Sequence, residues 1–205
     1  MWTFRRNEND VVNIYNTLSP VMQLATGGNM LNFGLWDKSD VSAAKAQNRL
    51  CDVVARLAEL DSGKSLLDVG SGLSSPAIRW TESYPDIEIW CVNINYLQLQ
   101  AAKNYLRKKK PSPAICEINA TSTMLPFSKK SMERIVALES AQHFRPFENF
   151  ISESSRVLKK DGILTFAIPV AKKNLNLINL GILALTWASE HYSKNFVIRM
   201  TSKKF

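Results

Sequence analysis

Ser65-Leu66-Leu67-Asp68-Val69-Gly70-Ser71-Gly72-Leu73-Ser74-Ser75-Pro76 joins an apolar run, an acidic residue and a glycine turn to a helix start. Leu66, Leu67 and Val69 read as a short buried strand that runs into a glycine turn. A helix is predicted to open at Ser74 or Ser75, with Pro76 in its first turn. Glycine lets a ligand approach the backbone closely, and a helix N-terminus offers unpaired N–H groups to a polar or anionic partner. Gly-x-Gly alone is a weak signal. Asp68, two residues before the first glycine, strengthens it.

That acidic residue separates two cofactor classes. A dinucleotide turn continues as G-x-G-x-x-G, with an acidic residue after the second strand to hold a ribose. Here the third glycine position of that pattern is Ser75, and the second strand, Ile87 to Val92, ends in Asn93. A carboxylate at the first strand end would also repel a pyrophosphate. It suits a cofactor with an amine and a sulfonium. A tight strand-to-helix turn with no ligand is the bland alternative for this segment taken by itself.

Working outward, helix and strand alternate. Helices are predicted over 11–26, broken by Gly27-Gly28, and over 41–60, capped by Ser39 or Asp40 and closed near Gly63. Strands are predicted at 65–69, 87–92, 114–118, 133–138 and 162–168, with helices at 75–83, 95–110 and 146–158. This alternation predicts an α/β fold: a Rossmann-like, doubly wound, mostly parallel sheet with N-terminal helices and a shortened C-terminus. Residues 1–205 read as one domain, divided into an N-terminal entrance segment (1–62), a cofactor-binding core (63–170) and a lid or interface segment (171–205).

Composition agrees. A hydrophobic content of 45% with 21% charged residues is that of an ordinary globular protein. Cys51, Cys91 and Cys116 are odd in number and scattered in apolar surroundings, so they read as core thiols of a reduced compartment. His143 and His191 lie too far apart in sequence for a zinc pattern. The first eight residues lack the apolar stretch of a signal peptide, so a cytoplasmic setting is expected. The net charge of +8 gathers in Arg107-Lys108-Lys109-Lys110, Lys159-Lys160, Lys172-Lys173 and Lys203-Lys204. These fall at helix ends, in loops or at the chain end, without interleaved aromatics, and read as solvated surface more than as a nucleic-acid groove.

The fold would gather the strand ends on one rim: Asp68, Gly70, Ser71 and Gly72 from the first, Asn93, Ile94, Asn95 and Gln98 from the second. Asn119 and Ala120 follow the third, and Leu138, Glu139, Ser140 and His143 the fourth. Amides clustered there can hydrogen-bond hydroxyls and a purine edge, although any single one can simply cap a turn.

With these residues quoted, the chain resembles the class I S-adenosylmethionine-dependent methyltransferases, in the small-molecule group of sterol, tocopherol and natural-product C- and O-methyltransferases. Leu66 to Gly72 is similar to that family's first motif, and Cys91 to Gln98 to its second-strand segment. Asn119-Ala120 with Leu125-Pro126-Phe127 resembles its adenine-side motif. Glu139 to Phe144, followed by Arg156 to Gly162, resembles the fourth-strand end and the turn into the fifth strand. Asn32-Phe33-Gly34-Leu35-Trp36-Asp37 is similar to its aromatic entrance segment.

The resemblance implies S-adenosyl-L-methionine as cofactor and a small, lipophilic or natural-product acceptor methylated at O or C. It implies that the 70–72 turn approaches the methionine and ribose, that Asp68 orients the amino-acid end, and that Asn119 meets the adenine amine. Asn93 stands where a ribose-binding carboxylate is usual, so Asn95 and Gln98 would share that task. Tyr15 and Trp36 would close over the methionine end, where an aromatic face attracts a sulfonium; plain packing is the alternative for both. An oxygen nucleophile would need a base, for which His143 is suited. A carbon nucleophile would instead need its carbocation stabilised, with Glu139 as the nearest carboxylate.

The departures are Ser74 at a motif glycine position and the stretch past the fifth strand. There Leu175 to His191 reads as one apolar helix and Asn195 to Met200 as one strand. Leu177 to Trp187 is too short to span a bilayer, and a homodimer contact through this helix is an expectation alongside a lid. Three alternatives to a working small-molecule enzyme stay open: a cofactor-binding but weakly active homologue, an RNA-directed methyltransferase, and, most distantly, a nicotinamide dehydrogenase.

Overall fold

The computed structural model describes residues 7–37 and 42–169, and the backbone of strand 195–201. The elements in chain order are α1 (Glu8–Thr26), α2 (Ala43–Leu57), β1 (Ser65–Val69), α3 (Ser75–Ser83), β2 (Glu88–Asn93) and α4 (Tyr96–Lys109). They continue as β3 (Ile115–Asn119), β4 (Met132–Leu138), a 3₁₀ turn (Ala141–His143), α5 (Phe147–Val157), β5 (Leu158–Pro169) and β6 (Asn195–Thr201). The strands form one sheet in the order β3-β2-β1-β4-β5-β6, parallel except for β6, which pairs antiparallel with β5.

β1 is buried at all five positions, as expected for a strand covered on both faces. Leu66, Ile89, Cys91 and Val136 turn to the face under α2 and α3, where Leu50, Val54, Ala77 and Trp80 cover them. Leu67, Val69, Val92, Ile135 and Leu164 turn to the opposite face and pack with Phe150 and Val157 of α5. The chain leaves β1 toward β2 on one side and returns to β4 on the other. The C-terminal ends of β1 and β4 therefore flank a topological switch point, where open α/β sheets bind ligands.

Several expectations need correction. α1 begins three residues earlier than expected, because Asn7 and Asp10 form a reciprocal capping box. It ends as expected at Gly27, which adopts a left-handed φ of 70°. α2 is capped by Ser42 and closes at Leu57, short of Gly63; Ser39 and Asp40 lie outside the described residues. Cys51 and Cys91 are buried thiols, but Cys116 is exposed on the edge strand β3. α3 opens at Ser75, as one of its two expected starts, and Ser74 caps it with a left-handed φ of 55°. The predicted helix over Leu175–His191, with its lid and dimer readings, lies outside the described residues, whereas the strand expected at 195–200 is β6. No helix among the described residues is long and apolar enough to cross a membrane.

The connection from α1 to α2 is bound tightly to α2. Buried Gln47 donates to the Met30 and Asn32 carbonyls at 3.1 and 2.7 Å, and Leu35 N–H donates to the Ala46 carbonyl at 2.9 Å. Gly34 crosses the α2 backbone with φ 81°, and a Cβ there would lie 2.7 Å from both Ala46 C and Gln47 N. Gly34→Ala is therefore expected to cost at least about 2 kcal/mol of unfolding free energy, because backbone cannot rotate aside. Urea denaturation checks this; an unchanged midpoint would mean that the loop does not rest on α2.

Candidate functional site

A cleft of about 900 Å³, counted with its open mouth, lies over the C-terminal ends of β1, β2 and β4. Its floor is the glycine turn. Gly70 N–H and Ser71 N–H both donate to the Val92 carbonyl, at 2.7 and 3.2 Å, which draws the turn across the end of β2. From the other side Ser140, just past β4, donates its hydroxyl to the Val69 carbonyl at 2.6 Å. Gly70 has φ 77°, and a Cβ there would lie 2.4 Å from Ser140 Cβ. Glycine is thus required at 70 by the packing of Ser140, before any ligand is considered. Gly72, with φ 57°, turns its backbone toward Leu31.

The second rim segment is an interlocked amide network. Asn93 Nδ2 donates to the Gly72 carbonyl at 3.1 Å and to Gln98 Oε1 at 2.9 Å, while Asn93 Oδ1 accepts from Asn95 N–H at 3.0 Å. A carboxylate could not make the two donations. Asn95 caps α4 and passes its amide hydrogens to Asn16 Oδ1 and the Val12 carbonyl at 2.9 and 3.4 Å. Gln98 Nε2 donates to Ser19 Oγ at 2.8 Å. Asn93 and Gln98 therefore tie the glycine turn to α4 and α1, using much of their hydrogen-bonding capacity within the protein.

Tyr15, expected to serve packing or to cover the methionine end, lines the cleft. Its hydroxyl lies 3.0 Å from His143 Nε2, and the two rings meet edge to face. Gln142 Nε2 lies 3.3 Å from the same His143 nitrogen and donates to the Glu139 carbonyl. Glu139, with a left-handed φ of 50°, accepts the Phe33 N–H at 2.5 Å and so joins the α1–α2 connection to the end of β4.

Of the sequence-predicted residues, Tyr15, Gly70, Ser71, Gly72, Asn93, Ile94, Asn95, Gln98, Ala120, Leu138, Glu139 and His143 meet in this cleft. Trp36, Asp68 and Asn119 are not among its lining. The Trp36 indole N–H donates to the Phe33 carbonyl at 2.8 Å, and the entrance segment presents Leu31 and Asn32 to the cleft instead. Asn119 is exposed and donates to the Asn93 and Ile94 carbonyls at 2.8 and 3.0 Å. Asp68 points below the floor beside Cys51 and Cys91, 1% exposed. Glu8 and Val11 line the cleft and were not anticipated. The Asn7–Asp10 capping spacing was the available signal, since it sets Glu8, Val11 and Tyr15 at helical spacing on one face.

Burial pushes the Asp68 carboxyl up from its ordinary 3.8 to about 7. Between roughly pH 4 and 7 an unfolded chain has released a proton that the folded chain keeps, so stability falls as pH rises across that window and levels off above it. The loss attributable to this group is on the order of 4 kcal/mol. Asp68→Asn is expected to flatten the decline in unfolding free energy between pH 4 and 8 in chemical denaturation. An unchanged slope would exclude Asp68 as its source.

Comparison with known proteins agrees with this geometry. Residues 67–166 match a family model described as a methyltransferase domain. The chain is 26% identical over 164 residues to an erythromycin 3''-O-methyltransferase of Saccharopolyspora erythraea, covering 80% of this chain and 54% of the relative. It is 32% identical over 124 residues to a sterol 24-C-methyltransferase of Pneumocystis carinii, covering 60% and 33%. The crystal structure of the [4+2]-cyclase SpnF superposes with a TM-score of 0.74 at 28% identity, over 80% of this chain and 61% of that one. The fold and the cleft are those of a nucleoside-cofactor transferase domain, and the chain belongs to the class I S-adenosylmethionine-dependent methyltransferases of the small-molecule group. It is also 28% identical over 156 residues to a 27-O-demethylrifamycin SV methyltransferase of Amycolatopsis mediterranei, covering 76% and 57%, and so spans about half the length of the two natural-product relatives and a third of the sterol one.

The residues present fit the family's cofactor, S-adenosyl-L-methionine. Ser71 lines the cleft while its buried hydroxyl lies against the Cys91 thiol, which leaves the turn's backbone as the surface met by a ligand. The glycine turn exposes backbone where a ligand can lie against it, and α3 opens there without a side-chain cap, leaving its first N–H groups for a carboxylate. Val11, Val92, Ile94, Ala120 and Leu138 give the apolar walls that a purine and a thioether need.

Proposed function

We propose that this chain is an enzyme, or the cofactor-binding part of one, that methylates a hydroxyl oxygen of a small, lipophilic or natural-product acceptor. The observation that carries the reading is the His143–Tyr15 pair, facing the glycine turn across one cleft. When bound, S-adenosyl-L-methionine supplies a methyl group already activated by its positive sulfur. The chain's work is then alignment, exclusion of water and removal of one proton.

His143 Nε2 is the proton acceptor in this reading. Gln142 Nε2 can only donate, so its approach to Nε2 assigns the ring proton to Nδ1 in this reading, with the Tyr15 hydroxyl 3.0 Å from the same nitrogen. An acceptor hydroxyl bound beside Tyr15 passes its proton to His143 directly, or through the Tyr15 oxygen as that hydroxyl gives its own proton to Nε2. Leu31, Leu138 and Phe144 offer an apolar lining for an uncharged acceptor. Glu139 lines the same cleft, with Oε2 accepting the Phe33 N–H. The names of two relatives, an erythromycin 3''-O-methyltransferase and a 27-O-demethylrifamycin SV methyltransferase, point to O transfer.

A second reading follows from the neighbour titled a [4+2]-cyclase: the domain holds its cofactor and uses the cleft for chemistry other than methyl transfer. Incubation with methyl-labelled cofactor and a panel of hydroxylated macrolides and sterols separates the readings. Label in an ether product supports O transfer, and label on a sterol side-chain carbon supports C transfer. No label, in a chain that binds S-adenosylhomocysteine, supports the second reading. With an active acceptor, His143→Gln is expected to lower kcat roughly 10²- to 10⁴-fold. Tyr15→Phe is expected to act in the same direction more weakly. Binding of S-adenosylhomocysteine within about threefold of wild type keeps this a catalytic loss, about 0.7 kcal/mol at most being attributable to cofactor affinity. Undiminished turnover in His143→Gln would overturn the assignment of the base.

A further inference from the structure

We propose that Glu8, in the first turn of α1, reads the exocyclic amine of the cofactor's adenine. The inference rests on the cofactor reading above and deepens it. The transferable methyl must lie near His143 and Tyr15, beyond the end of β4, so the far end of an extended nucleoside cofactor runs the other way, over the ends of β2 and β3. That end of the cleft is walled by Val11 of α1, Ile94 after β2 and Ala120 after β3. These are apolar faces suited to a flat ring. Of the polar side chains near them, Asn93, Asn95 and Gln98 are bonded to one another and to α1, whereas Glu8 and Ser122 sit outside that network.

Asn119, the residue that the family resemblance assigns to the amine, has turned away. It is exposed, it is not part of the cleft, and its amide nitrogen is held by the Asn93 and Ile94 carbonyls. Glu8 lines the cleft. Thr121, one residue after Ala120, donates its hydroxyl to Glu8 Oε1, and Thr121 Oγ1 lies 2.9 Å from Thr123 Oγ1. The carboxylate is thereby fixed at the β3 end, with Oε2 able to accept again. An ionised carboxylate only accepts hydrogen bonds, and an exocyclic amine donates them. The pair is complementary and charge-assisted, whereas a purine carrying a carbonyl at the same carbon would set oxygen against oxygen.

The placement on α1 has a consequence. Glu8 and Tyr15 are seven residues apart, about two helical turns on one face. A cofactor whose purine engages Glu8 holds the same helix that brings Tyr15 to His143.

The test is calorimetric titration with S-adenosylhomocysteine and with S-inosylhomocysteine, in which a carbonyl oxygen replaces the amine. Wild type is expected to prefer the adenosine ligand by roughly tenfold or more. In Glu8→Ala that ratio is expected to collapse to about threefold or less. Glu8→Gln, whose amide can donate to a carbonyl, is expected to move the ratio toward the inosine ligand, and Asn119→Ala to leave it unchanged. A merely structural Glu8 would weaken both ligands in parallel; a preserved ratio in Glu8→Ala therefore overturns the proposal, as does a ratio that collapses in Asn119→Ala instead. Failure of folded wild type to bind either ligand would overturn the cofactor reading rather than this assignment.

Discussion

The hydrogen bond from Ser140 Oγ to the Val69 carbonyl, at 2.6 Å, closes the gap between the two strands that flank the switch point. It can form only because residue 70 has no side chain, since a Cβ there would sit inside the Ser140 side chain. Gly70 and Ser71 are then free to turn the other way and donate to Val92 at the end of β2. One glycine thus allows three strand ends to be stitched together. The turn that results opens α3, exposes backbone to the cleft and sets Glu139 and His143 on the wall facing it. Geometry that serves a ligand is here first a solution to packing at the sheet's end.

The cleft's other wall is of a different kind. Along α1 the buried residues are Ser19 and Met22, and the helix is held largely by polar ties: Asn16 to Asn95, Ser19 to Gln98, Glu8 to Thr121 and Tyr15 to His143. Such ties are individually worth about 1 kcal/mol in water-accessible settings, much less than a buried apolar face gives. A helix fixed in this way follows the state of the groups it touches. The residues that accompany the chemistry, Tyr15 and Glu8, are thus mounted on the wall most responsive to what the cleft contains.

Much of this was legible in the sequence because period and punctuation coincide with physics in the core. Ser65–Val69 and Ser75–Ser83 appear at the expected bounds, since a fully buried strand and a proline-opened helix leave little choice. The rim amides and His143 were found for the same reason: strand ends are determined once strands are. What stayed hidden was side-chain direction. Asp68 lies on the lower side of β1 because strand residues alternate, and only the packing of Cys51 and Cys91 reveals that this side is sealed. Trp36 bonds to a carbonyl of its own loop, and Asn119 to two carbonyls of the β2–α4 turn, contacts that no periodicity reports. Glu8 was missed at a helix boundary, the least determined feature of any sequence reading. The helix opens at Ser75, the second of its two expected starts, and Ser74 takes the left-handed cap position, where the motif's glycine would have adopted that φ without strain.

In this reading the cleft beneath α1 holds S-adenosyl-L-methionine. Amide hydrogen exchange of the chain, with and without S-adenosylhomocysteine, tests it most directly because it reports where a ligand sits. Slowed exchange is expected at the 70–75 turn, at 93–98 and along the first three turns of α1, with the outer faces of α4 and α5 unchanged. Binding that leaves those three segments unprotected, or protects another surface, would contradict the account.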